Sequence, residues 1–148
     1  MTSPFAELVG TELGVSEWVE TSQEFVDAYA SMMGDRGPIH NEPDSDAAKA
    51  LGGTIVQGTL IIGSIPAMLR DVYWPMEGIQ YRLHYGYDKI RFINPVPTGS
   101  RFRGRFTLEA AEPRGEGERV RINATIEVEG SGEPAAIAEL LAFVKWAP

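Results

Sequence analysis

The sequence predicts an α+β domain in which an antiparallel sheet wraps one long buried helix. Three observations point there. Residues 59–69 are apolar on nearly every side, so a helix formed by them has no solvent face and must be enclosed. From residue 79 onward the apolar pattern changes from helical spacing to alternation, the mark of half-buried strands. Helix signals come first and strand signals after, which favours an antiparallel sheet with its helices gathered on one face. The 148 residues show no internal repeat and no low-complexity linker, so residues 1–148 read as a single domain.

The elements follow in order. Thr21-Ser22-Gln23-Glu24 has the form of a capping box, with Thr21 bonding the amide three residues on and Glu24 reaching back. Phe25, Tyr29, Met32 and Met33 continue at helical spacing, and Gly34 ends the helix. A second short helix spans 45–51, capped by Asp44 or Ser45 and broken by Gly52-Gly53. The buried helix over 59–69 contains Pro66, which predicts a kink or turn near its middle. Residues 70–78 read as a loop. A strand covers 80–92, with a bulge expected at Gly86. Residues 95–99 form a turn, 101–110 a strand and 113–118 a hairpin loop. Further strands span 120–128 and 135–146, with a turn at 130–134.

Composition removes several function classes. The net charge of -8 argues against a nucleic-acid footprint or a basic membrane face. The absence of cysteine excludes disulfides, a thiolate nucleophile and cysteine-based metal sites, and is compatible with a reducing cytoplasm. No signal peptide is visible in 1–10, and the longest apolar run is too short for a membrane span. No nucleic-acid or membrane partner is expected, and a cytoplasmic location is.

One segment carries chemistry. Gly34-Asp35-Arg36-Gly37-Pro38-Ile39-His40 places a carboxylate and one of only two histidines five residues apart. Pro38 fixes its own φ and biases Gly37 away from helix, so Asp35 and His40 are expected on an ordered loop. An acid/base pair held this way suits proton transfer. A turn aspartate and a solvated histidine are the plain structural alternative.

Three blocks together resemble the MaoC-like dehydratases, the (R)-specific enoyl-CoA hydratases, and most of all their nodulation-protein-N-like branch. They are Gly34-Asp35-x-x-Pro38-Ile39-His40, then 53–60 (GTIVQGTL), then 84–92 (HYGYDKIRF) followed by 95–100 (PVPTGS). The resemblance spans about residues 21–146 and implies a hot-dog fold. It also implies a hydro-lyase, adding water across a trans-2-enoyl thioester or removing it from a 3-hydroxyacyl thioester. Asp35 and His40 would then flank a water near the β-carbon, and the Gly58 N–H would stabilise the thioester oxygen. Gly58 suits that role because the first helical amides lack intrahelical partners and the helix dipole there favours an anion.

Gly37, Gln57 and Pro66 depart from the pattern of the family the chain resembles, which often has Asn at the first, usually His at the second and, in some members, a polar residue at the third. Gln57, Ser64, Tyr85 and Arg91 are the expected substrate contacts, with Arg91 suited to CoA phosphates and Lys89 a weaker candidate. Tyr81 and Tyr87 read as sheet residues, His84 as structural, and Arg101, Arg103 and Arg105 as a solvated face. No metal site is expected, and no cofactor beyond the coenzyme A of the substrate. The expected partners are an acyl-CoA or acyl-carrier thioester and a second copy of the chain, since hot-dog domains usually pair edge to edge. A hot-dog thioesterase and a non-catalytic acyl-thioester-binding subunit are the competing functions.

Overall fold

The structure, a computed structural model, describes residues 3–73 and 77–148. Chain order is β1 (Glu12–Val15), β2 (Val19–Glu20), α1 (Gln23–Met33), α2 (Pro38–Asn41), α3 (Asp46–Ala50), α4 (Gly58–Gly63), α5 (Ile65–Tyr73), β3 (Ile79–Phe92), β4 (Arg101–Arg114), β5 (Gly117–Val128) and β6 (Ala136–Trp146). The strands form one antiparallel sheet in the order β1-β4-β5-β6-β3, with β2 also on β4. The hot-dog reading holds: the sheet curls around the α4–α5 segment.

The alternation read from the sequence is the physical basis of the core. Phe102, Phe106 and Leu108 on β4, Val120, Ile122 and Ile126 on β5, and Leu140 and Val144 on β6 are all buried. They meet Leu60, Ile61, Ile65, Met68 and Leu69 from α4 and α5. The opposite sheet face is wet and charged. There Arg101 pairs with Glu129, and Arg103 and Arg105 share Glu127 at 2.9 and 2.6 Å. Arg103 also lies over the Trp18 ring, 4.3 Å from its centroid. This is the solvated face expected of the three arginines.

Several local expectations need correction. The cap of α1 is Ser22, whose hydroxyl accepts from the Phe25 amide at 3.1 Å. Thr21 is buried, and its hydroxyl instead donates to the Ser100 carbonyl at 2.5 Å, tying α1 to the start of β4. Ser45 caps α3 as one of the two named candidates. The helical segment over 59–69 is two helices, broken at Ser64 with Pro66 in the first turn of α5, where its missing N–H costs nothing. It is not enclosed on every side, because Thr59, Gly63, Pro66 and Ala67 are exposed while Leu60, Ile61, Ile65, Met68 and Leu69 face the sheet. Helix α5 runs on through Tyr73, so the loop expected from residue 70 starts later; 74–76 lie outside the described residues. The bulge at Gly86 is present as a register shift between His84 and Gly86. The β4–β5 hairpin is tighter than expected, because β4 extends to Arg114 and β5 starts at Gly117. Strands β1 and β2 were not anticipated: each is too short to show a period.

Candidate active site

Helix α1 delivers the chain to the site. Gly34 takes φ 76°, and its N–H bonds the Ala30 carbonyl at 2.9 Å. This left-handed cap, which glycine adopts without strain, turns Asp35 out of the helix line. The expected loop is only half right. Asp35 lies in a loop, but His40 sits on the single turn of α2. Gly37 is extended as anticipated, and Pro38 then serves as the first helical residue, for which its fixed φ is pre-organised.

Each side chain of the pair has a defined partner. The Thr59 hydroxyl donates to Asp35 Oδ2 at 2.8 Å. His40 Nδ1 lies 2.7 Å from the Ile55 carbonyl. A carbonyl only accepts, so Nδ1 is the donor, and in the neutral ring this leaves the lone pair on Nε2. Asp35, His40, Gly58 and Thr59 line one cavity of about 550 Å³, whose other walls include Ile61, Phe92, Ile93 and Asn94. Gly58 opens α4, so its N–H is among the amides with no intrahelical acceptor. A Cβ there would come within 2.8 Å of the Phe92 ring, so only glycine leaves the backbone approachable at this spot.

A polar clamp behind α2 holds His40. Gln23 Nε2 donates to the His40 carbonyl at 2.8 Å and to Asp27 Oδ1 at 2.9 Å. Asn41 Nδ2 donates to the same Asp27 oxygen at 2.7 Å, while its Oδ1 accepts the Gly37 amide at 3.0 Å. Thr54 closes the set with a 2.7 Å bond to Gln23 Oε1. Hydrogen bonds from the Asn41 and then the Gln23 amide hold the Asp27 carboxyl below its ordinary value of 3.8. A depressed carboxylate stabilises the fold above its unfolded-state value and loses that contribution as pH falls through the folded-state value. The hydrogen-exchange protection of residues 36–42, corrected for intrinsic rates, is therefore expected to fall as pH drops below 3.8. In Asp27→Asn it should be low at every pH. Protection that is flat with pH and equal in the two proteins would show that Asp27 does not hold the segment.

The remaining expected contacts divide. Gln57 is fully buried and lies behind the cavity wall. Its Nε2 donates to the Val26 carbonyl at 3.1 Å and the Asp35 carbonyl at 3.2 Å, so it braces the backbone rather than facing a ligand. Ser64 spends its hydroxyl on the Leu60 carbonyl at 2.8 Å, at the α4–α5 break. The Tyr85 ring meets the Arg114 guanidinium, 5.5 Å away, outside the cavity. Arg91 precedes the cavity residue Phe92 on β3 and is paired in register with Ile137, and strand alternation turns it to the other face. His84 lies edge-on to Tyr87 with centroids 4.8 Å apart, away from the cavity; burial pulls its pKa down and pushes Tyr87 up to about 12. Among the described residues no group of three or more His, Asp or Glu is placed to hold a metal. No helix of the described residues is long and apolar enough to cross a membrane. The sequence reading missed Thr59 and the Gln23–Asp27–Asn41 clamp. Gln23 and Asp27 stand four apart on one helical face, a signal that was present but not specific.

The family model for the MaoC-like domain matches residues 4–130. The chain is 37% identical over 135 residues to 3-hydroxyacyl-thioester dehydratase Z of Mycobacterium tuberculosis, covering 90% of this chain and 89% of that one. It is 35% identical over 142 residues to nodulation protein N of Rhizobium leguminosarum bv. viciae, covering 95% and 88%. The fold matches that of R-hydratase PhaJ1 from Pseudomonas aeruginosa with a TM-score of 0.78 at 23% identity, over 97% of this chain and 86% of that one. The family model over most of the chain and two relatives above 30% identity agree with the fold of a sheet curled around its helical segment: the chain belongs to the MaoC-like domain family.

Proposed function

We propose that the protein is a hydro-lyase that interconverts a trans-2-enoyl thioester and its (R)-3-hydroxyacyl thioester. The observation that carries this reading is the convergence of Asp35, His40 and the helix-opening Gly58 on one cavity. In the hydration direction a water held by the pair loses a proton to one of the two groups. Its oxygen bonds to the β-carbon, and negative charge moves to the thioester oxygen. The Gly58 N–H meets that charge. The pair then returns a proton to the α-carbon, and no electrons leave or enter. Dehydration is the same path reversed. The names of the dehydratase and R-hydratase relatives support this reaction type. Coenzyme A enters as part of the substrate, and the reading needs no separate cofactor. We further propose a cytoplasmic location, with which a cysteine-free chain is compatible.

The test uses purified protein and trans-2-enoyl-CoA substrates of short and medium chain length. Loss of the conjugated thioester absorbance with formation of the (R)-alcohol supports the reading. Release of free thiol would instead show a thioesterase, and binding without turnover a non-catalytic subunit.

The same reading includes a homodimer. Strand β3 is a sheet edge of 14 residues with one free side, and it exposes Leu83, Tyr85, Ile90 and Phe92. A long apolar edge left bare is a template for strand pairing. Light scattering is expected to give twice the chain mass, and a charged substitution such as Leu83→Lys should lower it. A monomeric mass for the unaltered protein at micromolar concentration would overturn this part.

A further inference from the structure

One short segment touches both members of the proposed pair. The Ile55 amide donates to the Ile39 carbonyl at 2.9 Å, and the Ile55 carbonyl accepts from His40 Nδ1 at 2.7 Å. Two residues on, Gln57 Nε2 bonds the backbone carbonyl of Asp35 at 3.2 Å. Two further on, the Thr59 hydroxyl bonds the carboxylate of Asp35 at 2.8 Å. Gly58 lies between the last two. Residues 55–59 therefore fix the histidine tautomer, the backbone under the aspartate, and the aspartate carboxylate itself.

Within this template the bonds at residues 55 and 57 involve backbone carbonyls or a buried amide. Thr59 is different. It is exposed, it lines the cavity, and it uses its side chain on the reacting side chain. A carboxylate on a half-buried loop residue beside an open cavity otherwise rotates about χ1 and χ2 among several wells. Tying Oδ2 selects one of them and leaves Oδ1 free to meet a water or a substrate proton.

We propose that Thr59 is a positioning residue for the hydration reaction: its hydroxyl locks the Asp35 carboxylate in the orientation that presents Oδ1 to the cavity. This rests on the hydro-lyase reading given above. The physical expectation is a loss in kcat with little change in KM, because the bond orients a reacting group and holds no part of the substrate.

The experiment compares unaltered protein, Thr59→Val and Thr59→Ser. Valine keeps the shape and removes the donor; serine keeps the donor and removes the methyl group. Both are expected to fold, since the site is exposed. Thr59→Val should lower kcat by about 10- to 100-fold, with KM within about twofold. Thr59→Ser should recover most of the rate. Equal rates for unaltered protein and Thr59→Val would overturn the proposal, as would a Thr59→Ser rate as low as that of valine. A second readout does not depend on turnover. The side-chain carboxyl ¹³C resonance of Asp35, assigned by its disappearance in Asp35→Asn, should shift in Thr59→Val and return in Thr59→Ser. A resonance unmoved by valine overturns the positioning role even if the protein turns over. Silence of the unaltered protein toward all enoyl thioesters, with the resonance moving as described, supports the positioning bond and overturns the hydro-lyase reading alone.

Discussion

Asp35→Asn and His40→Ala are each expected to lower the rate of enoyl-thioester hydration by about 10²–10⁴-fold, the usual cost of removing a positioned general acid or base. The reason lies in the separate anchoring of the two groups. Asp35 keeps Oδ2 on Thr59 and His40 keeps Nδ1 on the Ile55 carbonyl. The second polar atom of each, Oδ1 and Nε2, is not used in those bonds, and both residues line the shared cavity. Asparagine still accepts the Thr59 bond but binds no transferable proton. Alanine removes the imidazole and leaves the part-buried Ile55 carbonyl beside the cavity, and a thermal melt separates any loss of stability from the chemistry. Groups that act as a unit are not additive, so the double variant should be little worse than the poorer single one. Kinetics with a short-chain enoyl-CoA decide this. If either variant keeps more than about a tenth of the rate, that residue is not an obligate acid or base.

Gln57→Glu is expected to destabilise the protein by about 3–5 kcal/mol near neutral pH, the scale set by an uncompensated buried charge. The side chain is fully buried, and its amide hydrogens serve the Val26 and Asp35 carbonyls. Glutamate has the same shape but turns the donor into an oxygen that faces two carbonyl oxygens. Burial raises the pKa of such a carboxyl in the folded state. The sign then follows: the folded form favours the protonated acid, so the deficit shrinks as pH falls and grows as pH rises. Denaturant unfolding at about pH 5 and about pH 8 should show the variant closer to the unaltered protein at the lower value. A deficit below about 1 kcal/mol at both pH values would mean that position 57 is wetter than the structure has it.

The outcome at position 57 also marks the boundary between what is local and what is not. Its residue type reads from the sequence as a substrate contact that can donate and accept. Its place behind the wall depends on where α1 lies, because Val26 and Asp35 are 31 and 22 residues away along the chain. Thr59 escaped notice for the same reason: its partner is 24 residues back, and no period or spacing links the two. Ser64, Tyr85 and Arg91 illustrate the reverse. Their chemistry suits a substrate, but the helix break and the β3 register turn them to other partners or another face.

The sequence by itself determined the alternation that makes β4, β5 and β6 one-sided, the stop at Gly34 and the Asp35/His40 spacing. These are decided within a few residues, by side-chain periodicity and by the backbone limits of glycine and proline. Only the tertiary structure decided that Thr21 gives its hydroxyl to Ser100 and leaves the cap of α1 to Ser22, and that Gln57 and Thr59 brace Asp35. A hydrogen bond forms only when donor and acceptor meet within a few tenths of an ångström of about 2.9 Å. Between residues 20 to 80 positions apart, that meeting is set by how the whole sheet closes around its helix.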